Sequence, residues 1–219
     1  MKCTVFNGSP RGENSNSAVM IRWLLEPAVS FPEVSTEVVL LRKTEQHEEY
    51  AAKMAESDIT IIVFPLYADS MPGLVTAFIE KLQLYLGKMR GRKLGFVIHS
   101  GFSEAHHSRF VEKYAVWLAQ ALGADYMGTA IYAGSEATRF MPDKMQKKKK
   151  ALFNRIGESV FNEGHFDGKA VEKLVRTESL SGFKLLMYKV LVKTGVTNIY
   201  WNSELKRNKA FENRFARPY

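Results

Sequence analysis

Five short apolar runs, each separated from the next by about one helix length of chain, constrain this sequence more than any other feature. They are Cys3 to Phe6, Val38 to Leu41, Ile59 to Phe64, Leu94 to Ile98 and Tyr126 to Tyr132. Between them lie stretches with helical spacing. Val75, Phe78, Ile79, Leu82 and Leu86 share one predicted face, Phe110, Tyr114, Trp117, Leu118 and Ala121 share another, and Asn16 to about Val29 is a shorter example. Strands joined through helices must run parallel, and such crossovers are right-handed. The pattern therefore predicts an α/β fold, a doubly wound five-stranded parallel sheet covered on both faces. Ile59 to Phe64, with Thr60 its one polar residue, suits a central strand buried on both sides.

From Pro142 onward the pattern changes. Lys144 and Lys147 to Lys150 open a helical stretch through Leu152, Ile156, Val160 and Phe161, read as the last helix on the sheet. Beyond Gly164 two further helices are expected, about Lys169 to Arg176 and Ser181 to Lys193. The second carries Phe183, Leu186, Met187, Val190 and Leu191 on one face, widened by Leu185 and Val192. Asn198 to Tyr219 shows no clear period. With no Gly/Ser linker and no repeat, residues 1–164 read as the sheet domain and 165–219 as a helical C-terminal extension of it.

Charge could suggest nucleic acid, since the net value is +8, but its distribution argues otherwise. Residues 1–138 carry 13 basic and 15 acidic side chains, net −2, whereas 139–219 carry 18 and 8, net +10. A solvated helix face, steering of a phosphorylated cofactor and macromolecular binding all remain open for the lysine run. A single cysteine, Cys3, forms no disulfide and no iron-sulfur cluster within the chain. The start has no charged region followed by an apolar stretch, and no apolar run reaches spanning length. The expectation is a cytoplasmic protein without membrane insertion or nucleic-acid binding.

In such a sheet, ligands gather at the carboxyl ends of the strands, where strand order reverses. The first loop there runs Asn7-Gly8-Ser9-Pro10-Arg11-Gly12-Glu13-Asn14-Ser15-Asn16-Ser17. It places hydroxyl, amide and guanidinium donors at a helix N-terminus, where free N–H groups and the helix dipole favour phosphate. A polar turn with a plain N-cap is the alternative. It has neither a Gly-Lys-Ser/Thr ending nor a G-x-G-x-x-G pattern, which leaves a mononucleotide. The second loop, Pro65-Leu66-Tyr67-Ala68-Asp69-Ser70-Met71-Pro72-Gly73, is aromatic and proline-bounded, suited to wall a flat heterocycle or simply to pack.

These two loops resemble those of the NAD(P)H-dependent FMN reductases and flavodoxin-like quinone reductases. The matching residues are Gly8, Ser9, Pro10, Arg11, Asn16 and Ser17 in the first. Pro65, Tyr67, Met71, Pro72, Phe78, Ile79, Glu80 and Lys81 match in the second. The resemblance spans about residues 1–135. It implies a flavodoxin-like fold that binds FMN, with Ser9, Arg11, Ser15, Asn16 and Ser17 at the phosphate and Pro65, Leu66, Tyr67, Ala68, Asp69 and Met71 framing the ring. In the third loop, His99 to His107 after the fourth apolar run, Ser100, Gly101 and Phe102 would complete it. It implies NAD(P)H as hydride donor, a quinone or similar small molecule as acceptor, and a homodimer.

Chemistry would reside at flavin N5, so no catalytic side chain is expected. His106 and His107 invite a metal reading, but adjacent histidines at a helix start are more often solvated, and no metal is expected. The extension departs from the minimal family fold. Two other functions stay open, a flavodoxin-type electron carrier and, further off, a flavin-free basic interaction protein.

Overall fold

The computed structural model describes residues 1–175, 177–195 and 198–216. Met1–Glu178 form one compact unit and Ser179–Tyr219 a second. The first contains five strands, β1 (Lys2–Asn7), β2 (Ser35–Leu40), β3 (Ile59–Pro65), β4 (Lys93–His99) and β5 (Asp125–Tyr132). All pair in parallel, in the order β2-β1-β3-β4-β5. This is the flavodoxin-like arrangement. The chain leaves β1 toward β2 and later returns on its other side as β3, so the reversal lies between β1 and β3.

Alternation along the strands sorts the core into two layers. Phe6, Ile62, Phe64, Phe96 and Ile98 face α2 (His47–Glu56), α3 (Gly73–Lys81) and α4 (Arg109–Leu122), packing with Met54, Val75, Phe78 and Leu118. Val5, Ile61, Val63 and Val97 face α1 (Asn16–Leu25), α5 (Lys147–Glu163) and α6 (Gly168–Val175), packing with Trp23, Phe153, Ile156 and Leu174. Fully burying each such side chain is worth about 1.5–3 kcal/mol. α1 and α5 approach so closely that a Cβ on Gly157 would land on the Leu24 carbonyl oxygen. Cys3 is buried in the second layer, which pushes its thiol up to about 12 and leaves it unreactive.

Several elements differ from the sequence expectation. α4 buries Val111, Ala115, Leu118, Ala119 and Leu122, while Phe110, Tyr114 and Trp117 are 76%, 37% and 55% exposed. Two stripes at helical spacing coexist on this helix, and the one built of small residues is the one that fits against the sheet. α3 stops at Lys81, a 3₁₀ turn covers Leu82–Tyr85, and Leu86 is exposed. β2 is displaced toward polar residues because it is an edge, and Val38 is half exposed.

Residues 165–178 belong to the first unit. Phe166, Ala170 and Leu174 are buried in the second layer. A side chain at Gly95 would meet the Phe166 ring at 2.8 Å and one at Gly128, whose φ is +127°, would meet it at 3.4 Å, so these two glycines form the slot that holds the ring. The second unit contains α7 (Gly182–Lys193) and α8 (Asn198–Arg207), the latter in the tail for which no period was expected. Leu186, Met187, Tyr188, Val190, Leu191 and Val192 are exposed on α7. The expected helix end at Arg176 and the side chain of Phe183 lie outside the described residues. No helix among the described residues is long and apolar enough to cross a membrane.

Candidate functional site

The loop after β1 is built by its own polar side chains. Asn7 Oδ1 accepts the Ser9 N–H at 3.0 Å and Asn7 Nδ2 donates to the Gly12 carbonyl at 3.0 Å. Gly12 takes φ +57°, and a Cβ there would meet the Arg42 side chain at 3.0 Å, so the turn requires glycine. Ser15 caps α1, accepting the Ala18 N–H at 3.1 Å and donating to the Gly12 carbonyl at 2.5 Å. Gly8 lets β1 end against β3, where a Cβ would meet Val75 at 2.5 Å and Phe64 at 2.9 Å.

The hydroxyl of Ser17 does not face the loop. It is fully buried and lies 2.7 Å from His99 Nε2 at the end of β4. His99 Nδ1 lies 3.0 Å from Ser135 Oγ, which donates to the Ser100 carbonyl at 3.0 Å. Because the Ser135 proton goes to that carbonyl, His99 must donate from Nδ1. Complete burial pushes its pKa down to about 3, so the ring is neutral and Nε2 accepts from the Ser17 hydroxyl. Asn16 is committed as well. Its Nδ2 donates to the Glu136 carbonyl at 3.1 Å and its Oδ1 accepts the Arg139 N–H at 2.9 Å.

Arg139 comes from the loop after β5, which the sequence reading left without a role. Its Nη1 donates to the Asn14 carbonyl at 2.9 Å, its guanidinium carbon lies 4.2 Å from the Phe140 ring centre, and its buried Nε has no partner among the described residues. The Arg11 guanidinium is exposed and unpaired among the described residues. The donors left at this corner are Arg11, the Ser9 hydroxyl, Arg139 Nε and the first-turn N–H groups of α1, which have no partner within their own helix. That donor set suits a phosphate monoester.

The second loop forms a tight turn. Tyr67 and Ser70 exchange N–H···O bonds of 2.8 and 3.0 Å, with φ +47° at Ala68 and +59° at Asp69. Positive φ at both central positions is the I′ pattern, unusual for alanine. Leu66 is buried and donates its N–H to the His99 carbonyl at 2.7 Å, Met71 packs on the first core layer, and Tyr67 is half exposed. The third loop is pinned to the β5 loop by Ser135 N–H to Ser100 O at 2.8 Å and Gly134 N–H to Phe102 O at 2.6 Å. Gly101 lies against Glu136, where a Cβ would meet Oε2 at 3.3 Å. Phe102 stacks on His107 with ring centres 4.3 Å apart, and His107 Nδ1 bonds Asp69 Oδ1 at 2.9 Å, tying the second and third loops together.

The expected site residues thus all end or follow β1, β3 or β4, at the carboxyl edge of the sheet. Sequence reasoning missed Asn7, His99, Ser135 and Arg139. The only signal for the first two was their place as last residues of their strands.

Residues 1–139 match the family model described as NADPH-dependent FMN reductase. The chain belongs to this family. It is an FMN-dependent NAD(P)H oxidoreductase. Solved structures agree on the fold. An FMN-dependent NADH-azoreductase from Bacillus anthracis, solved with FMN, superposes with a TM-score of 0.59 at 14% identity, covering 74% of this chain and 99% of that one. An NADPH-quinone reductase from P. pentosaceus gives 0.55 at 15% identity, covering 71% and 96%. The azoreductase AzrA gives 0.56 at 18% identity, covering 74% and 100%. No curated protein matches the chain.

Proposed function

We propose that this FMN reductase family member takes hydride from NAD(P)H and delivers the electrons to a quinone or similar small acceptor, with FMN lying across the carboxyl ends of β1, β3 and β4. The observation that carries this reading is the cluster of uncommitted donors at the start of α1, next to a strained aromatic turn. When bound, FMN supplies the redox chemistry by accepting hydride and returning electrons to the acceptor. The protein binds and orients. Arg11 and the Ser9 hydroxyl hold the phosphate together with the N–H groups of Asn16 and Ser17. The side chains of Ser15, Asn16 and Ser17 act indirectly, by capping α1, holding the Glu136–Arg139 segment and bonding His99. The Tyr67–Ser70 turn and Met71 frame the ring, and Ser100 to Phe102 complete its edge. His99 is a positioning residue that keeps α1 and the third loop in register.

A homodimer is supported by the exposed stripe of Phe110, Tyr114 and Trp117 on α4, aromatic area of the kind interfaces use. Residues 165–219 are read as an extension serving the same domain. Steady-state kinetics test the function, with NAD(P)H as donor and a benzoquinone as acceptor. Parallel double-reciprocal lines are expected, because one flavin face serves donor and acceptor in turn. Bound FMN with no turnover on any acceptor would favour the electron-carrier alternative instead.

A further inference from the structure

We propose that α7 docks this protein on the surface of a membrane rich in anionic phospholipid. The second unit has no interior of its own, since among the described residues of Ser179–Tyr219 none is buried. A unit this small seldom builds a core that can stand alone. On α7, Leu186, Met187, Tyr188, Val190, Leu191 and Val192 are between 41% and 58% exposed. Removing one side chain of this kind from water shifts an equilibrium by about tenfold or more, so six on one short helix strongly favour a surface that covers them.

Charge decides what that surface is. Residues 179–219 carry eight basic and two acidic side chains, net +6. One of the two carboxylates, Glu204, is already paired with Arg207 at 2.6 Å. A second copy of the unit would bring another +6 against the first. A nucleic acid would match the charge but would offer leucine, methionine and valine a polar, wet surface. An anionic bilayer supplies both partners, acyl chains for the apolar side chains and phosphate headgroups for the lysines.

The order of residues along α7 fits that boundary. By helical spacing Leu186, Met187, Val190 and Leu191 form one face, and Lys189 and Lys193, four residues apart and both exposed, border it. A lysine so placed lays its methylenes along the apolar layer and lifts its ammonium among the headgroups. Tyr188 adds a ring of the amphipathic kind that lodges at this depth. At about 1.5 Å per residue the 12 residues of α7 extend about 18 Å, against about 30 Å of hydrocarbon, so the helix lies along the surface and does not cross it. None of the flavin-binding residues takes part, so this inference does not rest on the flavin assignment.

Cosedimentation of the full-length protein with vesicles tests the docking, using phosphatidylcholine alone and phosphatidylcholine with about 30% phosphatidylglycerol. Binding to the anionic vesicles should be roughly tenfold tighter or more and should fall as salt is added. The double variant Lys189→Glu with Lys193→Glu should weaken it by roughly tenfold or more, each basic residue near such a surface contributing on the order of fivefold. Leu186→Ser with Val190→Ser should weaken it by a similar factor with no change of charge, which separates burial from simple attraction. Circular dichroism matched to the wild type shows that each variant is folded. Equal binding to both vesicles, binding to neither, or undiminished binding in both folded variants would overturn the proposal. So would a lipid-free oligomer that the serine variant abolishes, which would give the face to a second copy. A DNA duplex bound as tightly as the anionic vesicles, and equally by the serine variant, would overturn it in favour of nucleic acid.

Discussion

Replacing His99 by glutamine should invert the order of stability between acidic and neutral solution. The ring is wholly buried between Ser17 and Ser135, and its pKa falls from the ordinary 6.5 to about 3. A depressed folded-state value means that the unfolded chain takes up the proton first as pH falls. The stabilisation is therefore complete above about pH 6.5 and is lost progressively toward pH 3. At pH 4.5, two units below the unfolded value, the loss is about 3 kcal/mol, at about 1.4 kcal/mol per unit. Glutamine does not titrate and keeps a donor and an acceptor, but its reach is different, so one of the two hydrogen bonds is lost at a cost of about 1 kcal/mol. The variant should thus be less stable by about 1 kcal/mol at pH 7.5 and more stable by about 2 kcal/mol at pH 4.5. Urea unfolding of the flavin-free proteins at both pH values measures this, and carboxylates common to both proteins cancel in the difference. A difference that does not change with pH would refute the assignment of a neutral, buried His99.

At the phosphate corner, Arg11→Ala should weaken FMN by about 10- to 100-fold, the scale of one charge-assisted contact, and leave riboflavin unaffected. Ser17→Ala should weaken both flavins alike, since its hydroxyl is given to His99; flavin fluorescence titration reads both variants. Gly157→Ala should destabilise the fold by about 3 kcal/mol or more, because the new methyl meets the Leu24 carbonyl and α1 cannot give way without leaving the sheet, an effect visible as a lowered Tm. Trp117→Glu should convert the proposed dimer to monomer in sedimentation velocity while sparing FMN binding, and an unchanged sedimentation coefficient would count against α4 as the interface.

What was legible in the sequence is what periodicity controls. The five strands and their parallel direction follow from apolar runs spaced by helices, and the candidate loops follow from the ends of those strands. α2 gave little signal because Tyr50, Ala51 and Met54 are its only buried apolar residues, set among charged neighbours, with His47 as a buried polar fourth. On α4 both stripes satisfy the helical period, and only the space beneath the helix decides between Ala115 and Trp117. The site was legible as a list of residues and not as an arrangement. Whether Ser17 turns to a ligand or into the protein depends on His99, 82 residues away, whose own proton is directed by Ser135. Arg139 reaches the first loop from the far side of β5, so no local pattern could announce it.

The Phe166 slot also decides how copies of this protein can meet. β5 ends the sheet with β4 as its sole neighbour, and such a border invites another chain to continue the ladder. Here the polypeptide returns after α5, gives the Phe166 N–H to the Met127 carbonyl at 2.9 Å and drops the ring over Gly95 and Gly128. At Met127 that border is already met from within the molecule. The opposite one, β2, is short, begins with exposed Ser35 and Thr36, and carries the Glu37 to Lys53 ion pair, a wet and charged margin that resists strand addition. Growth of the sheet from copy to copy is disfavoured at both margins, which turns any self-association toward helical surfaces, whose contacts can close on themselves rather than run on into a fibre.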